Sequence, residues 1–298
     1  MNALVIGESL IDVVDVPGQP LQRTPGGSPF NVAIGLARLQ IPTALLTCVG
    51  ADFDGDLLLS ALDESGVAFV GERTGRTSTA YAELGADGSA EYTFALEWDP
   101  HPVADLAGDG RLDAVHVGSI GAFLEPGREV VDHFLDKQPS RLRSFDPNIR
   151  PALVGTRTEA RVRVESIARH VDVVKLSDED ASWLYPGVEV GDVISSLLAL
   201  GPELVALTRG AEGSVIATRR HRLQVPAPRV RVVDTIGAGD AYMSALLGAL
   251  ILNDAAALGL PDLPADALLA IGAMASRAAA FVVTRAGSHP PTFEQLRS

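Results

Sequence analysis

The chain has 298 residues, of which 47% are hydrophobic and 21% charged, and its formal net charge is −14. This much apolar side chain suffices for a folded core, which excludes a disordered or low-complexity protein. A surface this acidic repels phosphodiester backbones and anionic lipids, so we expect neither nucleic acid nor a membrane as a partner.

Short apolar runs alternate along the chain with segments of helical period. The runs show little polar alternation, as is typical of strands buried on both faces of a parallel sheet. They are Ala3–Ile6, Ala44–Val49, Ala114–Val117, Leu142–Phe145, Asp172–Leu176 and Leu204–Thr208. Helices are predicted over Asn31–Leu39 (with Ser28 as its cap), over Asp54–Glu64 and after Asp240. This alternation predicts a three-layer α/β/α fold with a mostly parallel central sheet.

Two stretches interrupt this alternation and read as strands joined by turns. They are Ile11–Val16, followed by Pro17-Gly18, and Thr79–Phe94, in which Asp87-Gly88 predicts a hairpin. We expect them to form a small β lid from residues of about 12–24 and 74–98, within a single domain that spans residues 1–298.

Other features of the chain bear on its location. The apolar stretch from Ala267 to Val283 contains Ser276 and Arg277, so we expect a buried helix rather than a membrane span. The start of the chain lacks the basic region of a signal peptide, and the single cysteine, Cys48, cannot form an internal disulfide. These features predict a cytoplasmic protein.

The strongest chemical signal is the segment Asp234-Thr-Ile-Gly-Ala-Gly-Asp240, which lies between a strand-like run (Val230–Val233) and an amphipathic helix. Glycines let backbone N–H groups converge, and a helix N-terminus adds the positive end of its dipole. The segment therefore predicts an anion hole for a phosphate, with Asp240 as a base whose ionised form is favoured. The alternative is a glycine-rich turn whose aspartate only caps the helix.

The sequence resembles the ribokinase-like (PfkB) sugar kinase family, and within it the bacterial fructokinases. The resemblance rests on Gly26–Leu39 and Asp234–Ala245, with shorter matches in order between them. These matches are Gly7–Asp12, Val49–Gly55, Asp146–Arg150, Val173–Ser177 and Thr208–Gly210. The resemblance implies transfer of the γ-phosphoryl group of ATP to a sugar hydroxyl, with Mg²⁺.

The resemblance also implies roles for individual residues. Asp240 matches the catalytic base, and Gly237, Ala238 and Gly239 match the anion hole. Asp12, Gly27 and Asn31 match sugar-binding positions, although Asn31 alone also reads as a helix cap and Asp12 as a turn residue. Arg150 matches an arginine near the acceptor or the transferred phosphate; its alternative is a surface salt bridge.

Further positions match the nucleotide and metal sites of the family. The nucleotide positions are Lys175, Ser177, Thr208, Gly210, Gly213, Gly237, Gly239 and Ala273. Relatives commonly carry Asn-x-x-Glu where this chain reads Ser177-Asp-Glu-Asp180. A Mg²⁺ role therefore falls to Asp180 or passes to Asp178 or Glu179, and the alternative is an acidic, capped helix start. Asp234 and the Ile236 carbonyl match a loop that holds a monovalent cation in some relatives, and K⁺ would be the cation there.

The acceptor sugar is left open by the sequence. Fructose is favoured, and the alternatives are a 2-keto-3-deoxygluconate kinase, a ribokinase-type kinase or a non-catalytic sugar-binding regulator. We expect specificity to depend on the lid side chains Tyr81, Tyr92, Phe94 and Trp98. An isolated hairpin is marginally stable, so we also expect the lid to form a homodimer contact. The alternative is a lid that only closes over the substrate.

Overall fold

The computed structural model describes residues 2–15, 20–73, 75–84, 90–100 and 111–297. Its strands are β1 (Ala3–Ile6), β2 (Leu10–Asp15), β3 (Gln22–Gly26), β4 (Thr43–Leu46), β5 (Ala68–Val70), β6 (Ser78–Leu84), β7 (Ala90–Ala95), β8 (Leu112–Gly118), β9 (Ser140–Asp146), β10 (Val173–Ser177), β11 (Leu204–Thr208), β12 (Ser214–Ala217) and β13 (Arg222–Val225). Its helices are α1 (Ser28–Arg38), α2 (Phe53–Glu64), α3 (Arg128–Lys137), α4 (Arg157–Ala168), α5 (Asp178–Leu184), α6 (Val190–Leu200), α7 (Ala238–Leu252), α8 (Ala255–Leu258), α9 (Ala265–Val282) and α10 (Phe293–Arg297).

The larger sheet has the strand order β13-β12-β11-β10-β9-β8-β1-β4-β5. All neighbouring strands from β11 to β5 are parallel, whereas β12 and β13 are antiparallel to their neighbours. Both faces of this sheet are covered. One core joins it to α1, α2, α7 and α9, and a second core joins it to α3, α4, α5 and α6. The predicted three-layer α/β/α arrangement is therefore confirmed.

A second sheet, which we call the lid sheet, has the order β3-β2-β6-β7. Strands β6 and β7 pair antiparallel, which confirms the predicted hairpin, and β2 pairs in parallel with β6. The turns predicted at Pro17-Gly18 and Asp87-Gly88 lie outside the described residues. That the two sheets belong to one domain stays a prediction.

Helices α1 and α7 approach closely, which brings their first turns together. A Cβ atom on Gly35 of α1 would lie 2.3 Å from the Ser244 Oγ of α7, so only glycine allows this distance. Helix α9 is apolar and long enough to cross a bilayer, but it packs against α7 and the β12–β13 edge as a core helix does.

Two local predictions were wrong. Val230–Val233 does not form a strand; Val230, Val232 and Val233 are exposed, and this segment is held by the Val233 N–H donating to the Val283 carbonyl. Ser28 does not cap α1 either, because Gly27 occupies the cap position and no side chain satisfies the first N–H groups. A buried carboxylate from elsewhere in the chain accepts the Ser28 hydroxyl instead.

Candidate active site

The carboxyl ends of the parallel strands meet at one edge of the large sheet, where open α/β sheets bind ligands. The candidate residues follow β1, β8, β9, β10 and β11 at this edge, and the first turn of α7 lies there as well. Residues that are far apart in sequence therefore converge on one place.

Asp240 lies at the centre of this edge, in the first turn of α7, and is 8% exposed. Its Oδ1 accepts a hydrogen bond of 2.6 Å from the Ser28 hydroxyl, and its Oδ2 accepts one of 2.8 Å from the Asn31 amide. The alternative reading of Asn31 as a helix cap is thus wrong. With both oxygens oriented by α1, the carboxylate has a single fixed direction.

Burial raises the pKa of Asp240, although hydrogen bonds from Ser28 and Asn31 and the charges of Lys175 and Arg150 oppose the rise. The expectation that the helix terminus keeps this carboxyl firmly ionised is therefore wrong in direction. Desolvation outweighs the favourable dipole, because a carboxylate loses most of its hydration at this depth.

The predicted anion hole forms the start of α7. Gly237 has a left-handed backbone (φ 76°), and a Cβ atom there would lie 2.1 Å from the Ser288 Oγ. No side chain caps this helix. The Ala238 N–H donates to the Thr235 carbonyl at 3.3 Å, and the Gly239 N–H is the next donor of the first turn, with no acceptor among the described residues. A Cβ atom on Gly239 would lie 3.0 Å from the Lys175 Nζ, which places that ammonium directly beneath the turn.

Lys175 is buried and forms an ion pair of 2.8 Å with Asp146. Burial lowers the pKa of Lys175, but the carboxylates of Asp146, Asp180 and Asp240 together raise it above its usual value. Burial raises the pKa of Asp146 to about 6 despite the lysine. A permanent positive charge therefore lies below the anion hole of an acidic protein.

Asp12 and Arg150 lie on the side of the site nearer the lid sheet. Burial raises the pKa of Asp12 to about 6, Arg150 lowers it, and Asp240 raises it further. The three charges therefore act on one another across a shared space. Gly26 and Gly27 leave room there, since a Cβ atom on Gly26 would lie 2.5 Å from Asp12 Oδ2 and one on Gly27 would lie 2.7 Å from the Glu8 carbonyl.

Arg150 is exposed, and its Nη1 donates to carbonyl oxygens of Asn148 and Ile149. Among the described residues it has no ion pair within 4.0 Å, so the alternative of a surface salt bridge is not what the structure shows. Its charge remains available to a ligand.

The predicted nucleotide positions lie along the same edge. Thr208 ends β11, and the turn after it contains Gly210 (φ 50°) and Gly213 (φ 86°). A Cβ atom on Gly213 would collide with the Val225 carbonyl, so glycine is required there. Ala273 is half-buried on α9, the helix that packs against β13.

The segment predicted to bind metal has an evident structural task. Ser177 and Asp180 form a capping box at the start of α5, which matches the alternative reading. Asp180 Oδ2 accepts the Ser177 N–H at 3.0 Å, and its Oδ1 accepts the Ile149 N–H at 2.8 Å. Asp234 is similar, since its oxygens accept the N–H groups of Ile236 and Gly287.

The lid side chains that the sequence predicts to set specificity differ in what they contact. Tyr81 donates its hydroxyl to the Asp15 carboxylate, and Phe94 is half-buried in a small cluster with Leu10 and Ile120. Trp98 is 5% exposed, and its indole N–H donates to the Gly121 carbonyl at 2.9 Å, so its prediction as a specificity residue facing the sugar is wrong. The side chain of Tyr92 lies outside the described part of the structure.

Sequence reasoning missed three residues that the structure brings to this edge: Glu8, Ser28 and Asp146. The sequence signal for Ser28 was present in Gly27-Ser-Pro, where a serine before proline at a helix start reads most simply as a cap. No local pattern reveals that its acceptor lies 212 residues away.

Comparison with known proteins gives a consistent picture. Residues 2–295 match the family described as pfkB family carbohydrate kinase. The sequence is 36% identical over 262 residues to a fructokinase from Rhizobium leguminosarum bv. trifolii, covering 84% of this chain and 80% of the relative.

Solved structures agree with this match. A fructokinase from Vibrio cholerae O395 with fructose, ADP and calcium ion bound has a TM-score of 0.83 at 25% identity, covering 99% of this chain and 97% of that one. A double mutant of it holds potassium ion instead. An aminoimidazole riboside kinase from Salmonella enterica has a TM-score of 0.79 at 26% identity, covering 100% of this chain and 99% of that one.

The raised pKa of Asp240 gives a prediction about stability. A carboxyl whose folded pKa lies above its ordinary 3.8 favours the fold while protonated and loses that contribution as the pH rises through the folded pKa. We therefore expect Asp240→Asn to raise the Tm at pH 8, by about 2–4 °C for each kcal/mol gained in the free energy of unfolding. This increase in Tm should become smaller as the pH is lowered.

Calorimetry between pH 5 and pH 8 measures this difference. The Asn31 amide can turn to offer its oxygen to the new NH₂ group, so the substitution leaves the donors paired. Asp63→Asn, at an exposed position of α2, is the matched control and should leave the Tm unchanged. A lower Tm for Asp240→Asn at pH 8 contradicts the prediction.

Proposed function

The chain belongs to the pfkB family of carbohydrate kinases, and from this we propose that it transfers the γ-phosphoryl group of ATP to a hydroxyl of fructose. It is an ATP-dependent, fructokinase-like sugar kinase. The observation that carries the proposal is the buried Asp240 carboxylate, oriented by Ser28 and Asn31 at the start of α7.

The geometry supports a simple division of labour. Asp240 accepts the proton of the attacking hydroxyl, and a raised pKa brings a carboxylate closer to the range in which general bases work well. The N–H groups at the start of α7, with Gly237, Ala238 and Gly239, bind the phosphoryl oxygens. Arg150 and the buried Lys175 stabilise the charge spread over the transferred group.

The residues present fit a divalent ion that arrives with the nucleotide. Among the described residues there is no cluster of three or more His, Cys, Asp or Glu side chains that could hold a metal. Mg²⁺ keeps several waters and is usually held by one or two carboxylates and substrate phosphates. We propose that the ATP phosphates hold Mg²⁺ with help from Asp180, Asp178 or Glu179. A K⁺ site at Asp234 and the Ile236 carbonyl stays a prediction.

Fructose is favoured over the other acceptors because the Rhizobium relative and the protein of the Vibrio structure are both named fructokinase. An ATP-consumption assay over fructose, ribose, a riboside and 2-keto-3-deoxygluconate separates the enzymatic alternatives. A non-catalytic sugar-binding regulator would bind one of these without consuming ATP. Cytoplasmic location, where ATP is made, stays a prediction.

The proposed base has a direct test. We expect Asp240→Asn to lower kcat by at least about 100-fold, because a positioned general base contributes roughly 10²–10⁴. Calorimetric titration should show ATP and fructose binding near wild-type affinity. A variant that retains more than about a tenth of wild-type kcat contradicts the assignment.

The sugar site has a separate test in Asp12 and Asn31. We expect Asp12→Ala to raise the KM for fructose about threefold to tenfold, as one lost hydrogen bond of about 0.5–1.5 kcal/mol predicts. Asn31→Ala should raise this KM as well and should also lower kcat, because the Asn31 amide donates to Asp240 Oδ2. The KM for ATP should change far less. Equal effects on both substrates, or no effect on either, would count against this site.

The lid sheet leads us to propose a homodimer. One of its faces carries Asp12, Val14, Ala80 and Phe94. Ala80 and Phe94 already pack with Leu10 and Ile120 of the same chain, whereas Val14, farther along β2, is half-buried. Pairing the Val14 end of this face with that of a second copy would cover it and help to enclose the sugar.

Light scattering at micromolar concentration tests the dimer. We expect twice the chain mass for the wild type and the monomer mass for Val14→Asp. Thr93→Asp is the control, because Thr93 is exposed and pairs with Tyr81 on the opposite face of the lid sheet. An active wild-type monomer would refute the proposal.

A further inference from the structure

The long side chain of Arg150 is exposed and pairs with no carboxylate among the described residues. A guanidinium stabilises a transferring phosphoryl group only if it is held in place, since a misplacement of about 1 Å can cost about 100-fold in rate. Something must therefore orient it.

The orienting contact comes from Asn148. Its Oδ1 accepts a hydrogen bond of 2.8 Å from Arg150 Nη1, and its backbone carbonyl lies 3.4 Å from the same nitrogen. The other end of the Asn148 side chain, Nδ2, donates to the Ser119 hydroxyl at 3.4 Å. The amide thus connects the arginine to the loop after the neighbouring strand.

The loop after β8 is in turn held by Glu8. Ser119 lies beside this buried carboxyl and, as a hydrogen-bonding neighbour, lowers its pKa, whereas the Gly121 N–H donates to its Oε2 at 2.8 Å. Glu8 is 4% exposed and follows β1, so the chain of contacts runs across the ends of β1, β8 and β9. The printed contacts run from Arg150 through Asn148 to Ser119, which lies beside the Glu8 carboxyl, and burial raises the pKa of that carboxyl to about 7.

Backbone geometry at the same two loops supports a positioning task. Asn148 (φ 36°) and Ser119 (φ 54°, ψ −151°) both occupy conformations that residues other than glycine rarely adopt. Such conformations persist where the surroundings impose them, and they concentrate at functional sites. Here the Ser119 N–H donates to the Asp146 carbonyl, and Asp180 accepts the Ile149 N–H.

We propose that Glu8, Ser119 and Asn148 form a hydrogen-bonded chain that positions the Arg150 guanidinium for the transferred phosphoryl group. This inference rests on the proposed kinase function and adds three positioning residues to it. None of the three need touch a substrate. Their effect on turnover passes through Arg150.

The first variant is Asn148→Gly, which suits the positive φ better than asparagine and removes only the side chain. We expect its Tm to stay within a few degrees of wild type and its kcat to fall about tenfold, with the KM for fructose nearly unchanged. A purely conformational role for Asn148 predicts full kcat in this variant, and that result overturns the proposal.

A double-mutant cycle identifies the route of the effect. Arg150→Ala should lower kcat more than Asn148→Gly does, and the double variant should be no slower than Arg150→Ala alone. At pH 8, above the pKa of about 7 that burial gives Glu8, the variant Glu8→Gln keeps an acceptor for the Gly121 N–H but loses the charge, and it should show the same non-additivity. If the two losses in kcat multiply in the double variant, the chain does not act through Arg150. The same follows if Asn148→Gly lowers kcat and Arg150→Ala does not.

A crystal structure of Asn148→Gly gives a readout that is independent of turnover. We expect the guanidinium to leave the place it holds in the wild type, while Ser119 and Glu8 stay in contact. An unmoved guanidinium overturns the inference. If no sugar on the panel is phosphorylated, the proposed function fails, and this crystallographic result still decides whether the chain positions Arg150. Asn253→Gly, at the residue that caps the remote end of α7, is the matched control for replacing an asparagine by glycine.

Discussion

The site depends on one buried carboxylate and on the two helix starts that meet at it. Asp240 cannot be placed at this depth without donors, and its donors, Ser28 and Asn31, both belong to the first turn of α1. That contact requires α1 and α7 to lie close together, which Gly35 allows against Ser244. The packing of two helices therefore determines the direction of the proposed base.

The same edge of the sheet resolves an electrostatic conflict. A chain of net charge −14 repels the anionic substrate that its family uses. The site contains two cations that can bind an anion. Lys175 is buried beneath the anion hole in an ion pair with Asp146, and Arg150 is exposed at the rim. Because Lys175 is buried, its charge is screened less by water than the charges of the diffuse negative surface.

Much of the fold follows from the sequence, because short apolar runs without polar alternation are typical of strands in a sheet covered on both faces. Residues carried by a contiguous motif, such as Gly237–Asp240, were also found at the site. The errors share a cause. In each case the local sequence suggested one role and a contact with a residue distant in sequence determined another. This holds for Ser28, Trp98 and the run Val230–Val233. The direction of the pKa of Asp240 likewise depends on burial, which no spacing rule contains.

The separation of Ser28 from Asp240 by 212 positions has a consequence for how the protein is made. The ribosome releases the hydroxyl and amide donors of α1 long before it releases their acceptor. During that interval the donors of the first turn of α1 lack the Asp240 carboxylate that accepts their hydrogen bonds, and the phosphate-binding turn has not yet been synthesised. Activity therefore appears only when synthesis has passed α7, so a chain halted earlier is inert rather than partly active.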